Sequence, residues 1–226
     1  MVQLQMQQIV ISPGQRVLIQ DIGWDGFELI LKELGESRGS RVAYSQGMLE
    51  IRMPLPEHEA NKEVLGDLLK AALEELDIEF LTLGSTTFKN QSMLAGIEPD
   101  QCFYIHHEPD VRGKTKLDLK TDPPPDLALE IDVTSRTQIS AYELLKVPEI
   151  WRYEGGEIQV FTLQEGRYQQ VSGSPLLSTL LERTEWVDRL PEFVSQVKQE
   201  GRNKVLKRFR AWVRDLPGHP APPEAG

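Results

Sequence analysis

Cys102 is the only cysteine in this chain, so no disulfide can form within it. The expected compartment is therefore a reducing one, the cytoplasm. Long apolar runs are also missing. No stretch approaches the roughly 18 residues of a membrane span, so no membrane partner is expected. The first residues, MVQLQMQQIVISPGQ, have neither the basic start nor the apolar core of a secretion signal. No segment repeats, and glycines do not gather into a phosphate-cradling loop. Positive charge is in deficit, with 25 Lys and Arg against 35 Asp and Glu and a net charge of −10. That balance argues against indiscriminate binding to nucleic acid, because phosphate contact needs local positive charge.

The positive charge that is present is unevenly placed. Between Lys198 and Asp215, seven basic residues (Lys198, Arg202, Lys204, Lys207, Arg208, Arg210 and Arg214) stand against only Glu200 and Asp215. Such a basic helix is a DNA-facing edge, an exposed solvated helix, or a helix that pairs with the acidic body. The organisation expected from the pattern is a single domain over residues 1–215, with a disordered Pro-rich tail over residues 216–226.

Periodicity supplies the elements. Residues 16–20 read as a strand. Asp21 then caps a helix whose Trp24, Phe27, Leu31 and Leu34 recur at three- and four-residue steps, and Gly35 stops it. Residues 41–44 and 48–53 read as a hairpin around Ser45-Gln46-Gly47. Leu65, Leu68, Leu69, Ala72 and Leu76 share one face of a long helix over residues 57–76. Strands are expected at 77–83, 85–89 and 100–105, with a loop over 90–96 and an exposed connection over 106–125. Residues 127–133 (LALEIDV) are apolar apart from two acids and read as an interior strand. A short helix over 138–146, strands at 149–154, 157–163 and 167–171, and helices from Trp186 to Asp215 complete the chain. The fold class implied is α/β (α+β), a mixed β-sheet flanked by helices.

The chemistry-bearing feature is a set of carboxylates on neighbouring strands. Asp100 follows Glu98-Pro99 at the start of one strand. Glu130 and Asp132 are two apart on another, so they point to one face. An ionised carboxylate in an apolar strand is costly unless a cation compensates it, and a hard divalent ion such as Mg2+ or Mn2+ suits oxygen ligands. The alternatives are a half-exposed strand that shows Glu130 and Asp132 to solvent, and Asp100 as a turn cap. His106-His107 with Glu108 and Asp110 reads as a loop pair, because adjacent strand residues point in opposite directions. Trp151 and Tyr153 read as core aromatics.

Four stretches, EHEANKEVLGDLL, GSTTFKN with GIEPDQCFYI, PPPDLALEIDVTSRT, and LKVPEIWRYEGGEIQVF, resemble successive blocks of the Uma-two family of restriction-type endonucleases, within the PD-(D/E)XK nuclease superfamily. The resemblance runs over residues 24–163 in the same order. It implies a restriction-endonuclease-like fold and Mg2+-dependent (or Mn2+-dependent) hydrolysis of DNA phosphodiesters. Asp100 and Glu130 would be metal ligands, Asp132 a secondary ligand, and Glu59 a further acidic contributor. His58, beside Glu59, reads as a surface residue at a helix start.

One departure concerns the superfamily's lysine. The position two after Glu130 is Asp132, and the segment after TSRT is shorter than the resemblance implies, with Gln138, Ile139, Ser140 and Ala141 before Tyr142. A lysine in this chemistry orients the attacking water and offsets phosphate charge. Lys89 is the provisional substitute, with Lys146 and Arg136 behind it. The competing expectation is a catalytically inactive nuclease-fold module that binds nucleic acid or protein. Superfamily members often self-associate, so the resemblance also allows a homodimer.

Overall fold

The computed structural model describes residues 6–35, 38–84, 86–131, 135–178 and 185–216. Strand β1 is Arg16–Ile19, and helix α1 is Trp24–Leu34 with Gly35 at its C-cap. Gly23 occupies the N-cap without a side-chain cap bond. Asp21, expected to cap, instead takes a positive φ of 58° two residues earlier, a conformation that Asp tolerates better than most residues. The hairpin is β2 (Arg41–Ser45) and β3 (Met48–Arg52). Helix α2, Pro56–Glu75, carries a proline in its first turn, where the missing N–H costs nothing.

The next strands are shorter and more numerous than periodicity alone suggests. They are β4 (Leu81–Leu83), β5 (Phe88–Asn90), β6 (Ala95–Ile97) and β7 (Gln101–Tyr104). Residues 95–97 (AGI) fall partly in the segment expected to be a loop. Their intrinsic preference for a strand is weak, and pairing with both β2 and β5 holds them extended. The connection after β7 contains one helical turn, α3 (Glu108–Val111), whose Val111 is buried. Then follow β8 (Leu127–Ile131), α4 (Arg136–Leu145), β9 (Glu149–Glu154), β10 (Glu157–Gln164), β11 (Arg167–Val171), the single turn α5 (Pro175–Ser178), α6 (Leu190–Glu200) and α7 (Arg202–Arg214).

These strands divide between two sheets. One is antiparallel in the order β1-β3-β2-β6-β5. The other runs β11-β10-β9-β8-β7-β4 and is mixed, its one parallel pair being β8 with β9, joined through α4. Hydrophobic periodicity marks which residues are strands but not which strands pair, and the strands expected to form one mixed sheet divide into two.

Side-chain alternation along β8 assigns its two faces. Leu127, Leu129 and Ile131 join the core formed with α2, α6 and α7, whereas Ala128 joins Cys102, Tyr104, Ala141, Tyr142 and the inner residues of the first sheet. Glu130, two residues from Ala128, shares the second face. Helix α1 closes the outer side of the first sheet, with Phe27 stacked on Tyr44 at 4.5 Å. Gly96 permits this approach, since a Cβ there would lie 2.6 Å from Phe27 Cζ.

The C-terminal helices resolve the earlier alternative for the basic segment. Val205, Phe209 and Val213 of α7 are buried in the core. Three of its four arginines reach acidic residues of α2, Arg202 to Asp67 at 2.6 Å, Arg210 to Glu75 at 2.9 Å and Arg214 to Glu75 at 2.8 Å, and Arg208 pairs with Glu200 of α6 at 2.9 Å. Basic helix and acidic body pair with each other. The proposed tail falls, apart from Leu216, outside the described residues. Among those described, no helix is long and apolar enough to cross a membrane.

Candidate active site

Strands β7 and β8 are antiparallel with Gln101 opposite Leu129. One step further along this register sets Asp100 opposite Glu130, on the face turned toward α4 and the first sheet. Both side chains are fully buried. Asp100 Oδ2 accepts from the Ile131 backbone N–H at 2.9 Å, which fixes the carboxylate against the β8 backbone. Glu130 Oε1 accepts from the Tyr142 hydroxyl, placed by α4.

The compensating cation is Arg52, at the end of β3 in the other sheet. Its Nη2 lies 2.8 Å from Asp100 Oδ1 and 3.1 Å from Glu130 Oε2. His58, in the first turn of α2, completes the cluster, with Nε2 3.1 Å from Asp100 Oδ2 and 3.2 Å from Arg52 Nη1. That nitrogen either donates to Asp100 or accepts from Arg52. With Nε2–H directed at Asp100, Nδ1 keeps its lone pair. Nδ1 is buried with no hydrogen-bond partner among the described residues, and Glu59 Oε1 lies 3.9 Å away. His58 is therefore not the surface residue expected of a helix start.

The two carboxyls differ electrostatically. Burial pushes Asp100 up, but Arg52, His58 and the Ile131 N–H together hold it below the usual carboxylate value. Glu130 is pushed well above that value by burial and then by the charge of Asp100, with Arg52 opposing only in part. Burial and the adjacent Glu130 also raise Tyr142, so its phenol keeps the proton it donates.

A cleft of about 300 Å3 opens over the cluster, lined by Arg16, Arg52, His58, Glu50, Ser135 and Gln138. Glu50 is buried, accepts from Ser135 Oγ and lies 3.7 Å from Arg16 Nη1. A separate groove of about 870 Å3 is lined by Lys32, Arg38, Arg41, Lys89, Lys114 and Lys116 together with Glu28 and Glu98. The sheet joins these two concavities. Arg16 and Arg41 are both register partners of Arg52, so three arginines stand abreast on one face of β1, β3 and β2.

Of the residues the sequence singled out, the structure brings Asp100 and Glu130 together. Asp132 lies outside the described residues. Glu59 is near the cluster but turned to Arg41 at 3.5 Å and to Lys62. Lys89 lines the larger groove and donates to Glu28 at 2.6 Å. Lys146, in a left-handed C-cap, and Arg136 are exposed at the two ends of α4. His107 pairs with Asp126 at 2.5 Å, as a loop residue.

Arg52, Tyr142 and Glu50 were missed. The strand MLEIR alternates, and its charged face reads as solvent-facing unless something covers it, as α4 and the second sheet do here. A signal did exist for His58. It and Asn61 extend the buried stripe of α2, continued by Leu65, Leu68 and Leu69, back to the first turn.

Carboxylates are suitable donors for a hard divalent cation, but their oxygens are already engaged. Asp100 accepts from Arg52 and Ile131 and has His58 Nε2 3.1 Å from its Oδ2, and Glu130 accepts from Arg52 and Tyr142. A second cation between them would face a buried guanidinium at close range. As arranged, the described residues do not fit a metal there. Among them, no group of three or more His, Cys, Asp or Glu side chains is disposed to hold one.

No curated protein matches this chain. A crystal structure described as "a putative nuclease belonging to DUF820 from Anabaena variabilis ATCC 29413" is similar over 76% of this chain and 99% of its own, at 16% identity and a TM-score of 0.53. At that identity the likeness establishes the fold. The model of the Uma2 family, described as "Putative restriction endonuclease", matches residues 24–192. Most of the chain, including Arg52, His58, Asp100, Glu130 and Tyr142, falls inside that match, and the protein belongs to the Uma2 family.

Proposed function

We propose that this chain is an endonuclease acting on the phosphodiester backbone of DNA at the cleft over Asp100 and Glu130. The observation that carries the reading is the convergence of these carboxylates, from separate strands, with His58 and Arg52 beneath an open cleft. Families of this type generally use a divalent metal. Because the described donors do not accommodate one beside Arg52, the chemistry is derived from the chain's own residues. Arg16 and Arg52 offer N–H groups to non-bridging phosphate oxygens as charge builds on them. Asp100 lies 3.1 Å from His58 Nε2 and orients that imidazole at the cleft wall, where it is the candidate proton-transfer group. The basic groove beyond Arg41 offers a path for the flanking strand.

Conversion of supercoiled plasmid to nicked circles, in Mg2+, in Mn2+ and in EDTA, tests the reading. Loss of nicking in both Asp100→Asn and Glu130→Ala is expected. Equal nicking by wild type and Glu130→Ala removes the assignment. The resemblance extends the reading to a homodimer, and a single-chain mass by light scattering removes that part.

A second reading has its own observation. Lys89 is engaged by Glu28 in the other groove, and a guanidinium fills the space between the carboxylates. This combination favours a catalytically silent module that binds nucleic acid. Retained DNA binding with no nicking under any condition selects it.

A further inference from the structure

We propose that Arg52 is the resident cation of the Asp100–Glu130 pair, and that this centre excludes a divalent metal while the guanidinium stays in place. The inference rests on the nuclease reading only for the identity of the site. Three observations carry it. First, one nitrogen of Arg52 reaches both carboxylates, at 2.8 and 3.1 Å, and so occupies the space between them. Second, the side chain is only 16% exposed while its partners are fully buried, so a divalent ion added beside it meets like charge with little water to screen it. Third, Arg52 has little to gain by moving back onto its own sheet. Arg16 and Arg41 flank it in register on both sides, and like charges directly opposite on neighbouring strands repel. The arginine row therefore drives the central guanidinium across to the carboxylates of the other sheet.

Mn2+ titration followed by calorimetry, with paramagnetic resonance counting bound ion, tests this on the full chain. Wild type is expected to take up no ion at this site. Arg52→Met is expected to gain one Mn2+ per chain, about 100-fold tighter than any binding by wild type, and Arg52→Met with Glu130→Gln to lose it. Arg52→Lys keeps a cation on the strand and should remain closed to metal, and it serves where the methionine variant does not fold. Stoichiometric Mn2+ binding by wild type that disappears in Glu130→Gln overturns the proposal, and so does a folded Arg52→Met variant that binds no Mn2+. The outcome separates from that of the nuclease reading. A wild type that neither nicks plasmid nor binds Mn2+ leaves Arg52 as the resident cation and removes only the enzyme.

Discussion

Replacing Arg52 with methionine keeps much of the aliphatic stem and deletes the charge that two fully buried carboxylates share. At about 4 Å between charge centres and an effective dielectric near 20, each contact represents about 4 kcal/mol of raw attraction. Desolvation of the ions offsets much of it, and the net cost of stranding a buried partner is about 3–5 kcal/mol. Asp100 carries most of that cost, since burial already inclines Glu130 to hold a proton. Asp100 is depressed in the folded state despite its burial, through Arg52, His58 and Ile131. A depressed carboxyl contributes stability that is present above its unfolded value, 3.8, and is lost as pH falls through the folded one. Without Arg52 that contribution goes, so the difference between wild type and variant should be full from neutrality down to about pH 4 and shrink only below 3.8, as pH falls toward the folded value of about 2. Urea unfolding followed by tryptophan fluorescence, with unchanged m-values, measures it. Adding Asp100→Asn to the variant should recover part of the loss by removing the stranded charge. A loss under about 1 kcal/mol at neutral pH, well below the range for a broken buried pair, would refute the reasoning. A loss that is the same near pH 2 as at neutrality refutes it equally.

Gly96→Ala should destabilise by about 1–3 kcal/mol, because the Phe27 ring it meets is stacked on Tyr44 and has nowhere to move; urea unfolding alone and with Phe27→Leu checks it, and no recovery in the pair contradicts the steric account. Phe209→Ala should cost about 3–5 kcal/mol by opening the α7 core contact. Arg210→Ala, at a pair with partly exposed side chains, should cost under about 1 kcal/mol, and a reversed order of the two would mean that ion pairs rather than apolar packing hold α7. Lys32→Ala with Lys116→Ala should lower the slope of log K against log salt for duplex DNA by roughly two, at about 0.9 per phosphate contact. An unchanged slope in fluorescence anisotropy would take the larger groove out of the DNA path.

Glu130 was legible because it interrupts an otherwise apolar strand, and such an interruption asks for a partner; Asp100, at the start of its strand, was matched to it through the family resemblance. Strand alternation placed Glu130 on one face before any pairing was known. The long α2 helix, the hairpin around Gln46-Gly47 and the strands after Lys146 were legible for the related reason that each carries its own local period. The identity of the partner was not. Arg52 lies 48 residues before Asp100 and 78 before Glu130, in a different sheet, and no local pattern encodes a contact between sheets. The charged face of β3 has the alternation of an ordinary half-exposed strand, so the sequence offered no reason to turn it inward. Lys89 drew attention because a lysine was missing from its slot, and its strand places it against Glu28 instead. The missing basic residue was sought at Lys89, Lys146 and Arg136, while the charge that meets Glu130 comes from Arg52 on the opposite sheet.

The buried cluster is itself an argument about function. Two carboxylates, a guanidinium and an imidazole at the joint of the sheets hold them together no better than apolar side chains of similar volume would, since desolvating the ions offsets most of their attraction. A few residues away, the same joint is packed by Ala43, Ile97, Ala128 and Ala141, so apolar side chains serve there. The polar end is also the end that opens into a cleft, with Arg16 and Arg52 on its wall. Charge concentrated where packing does not need it, and where the surface admits a ligand, points to chemistry or recognition rather than to stability.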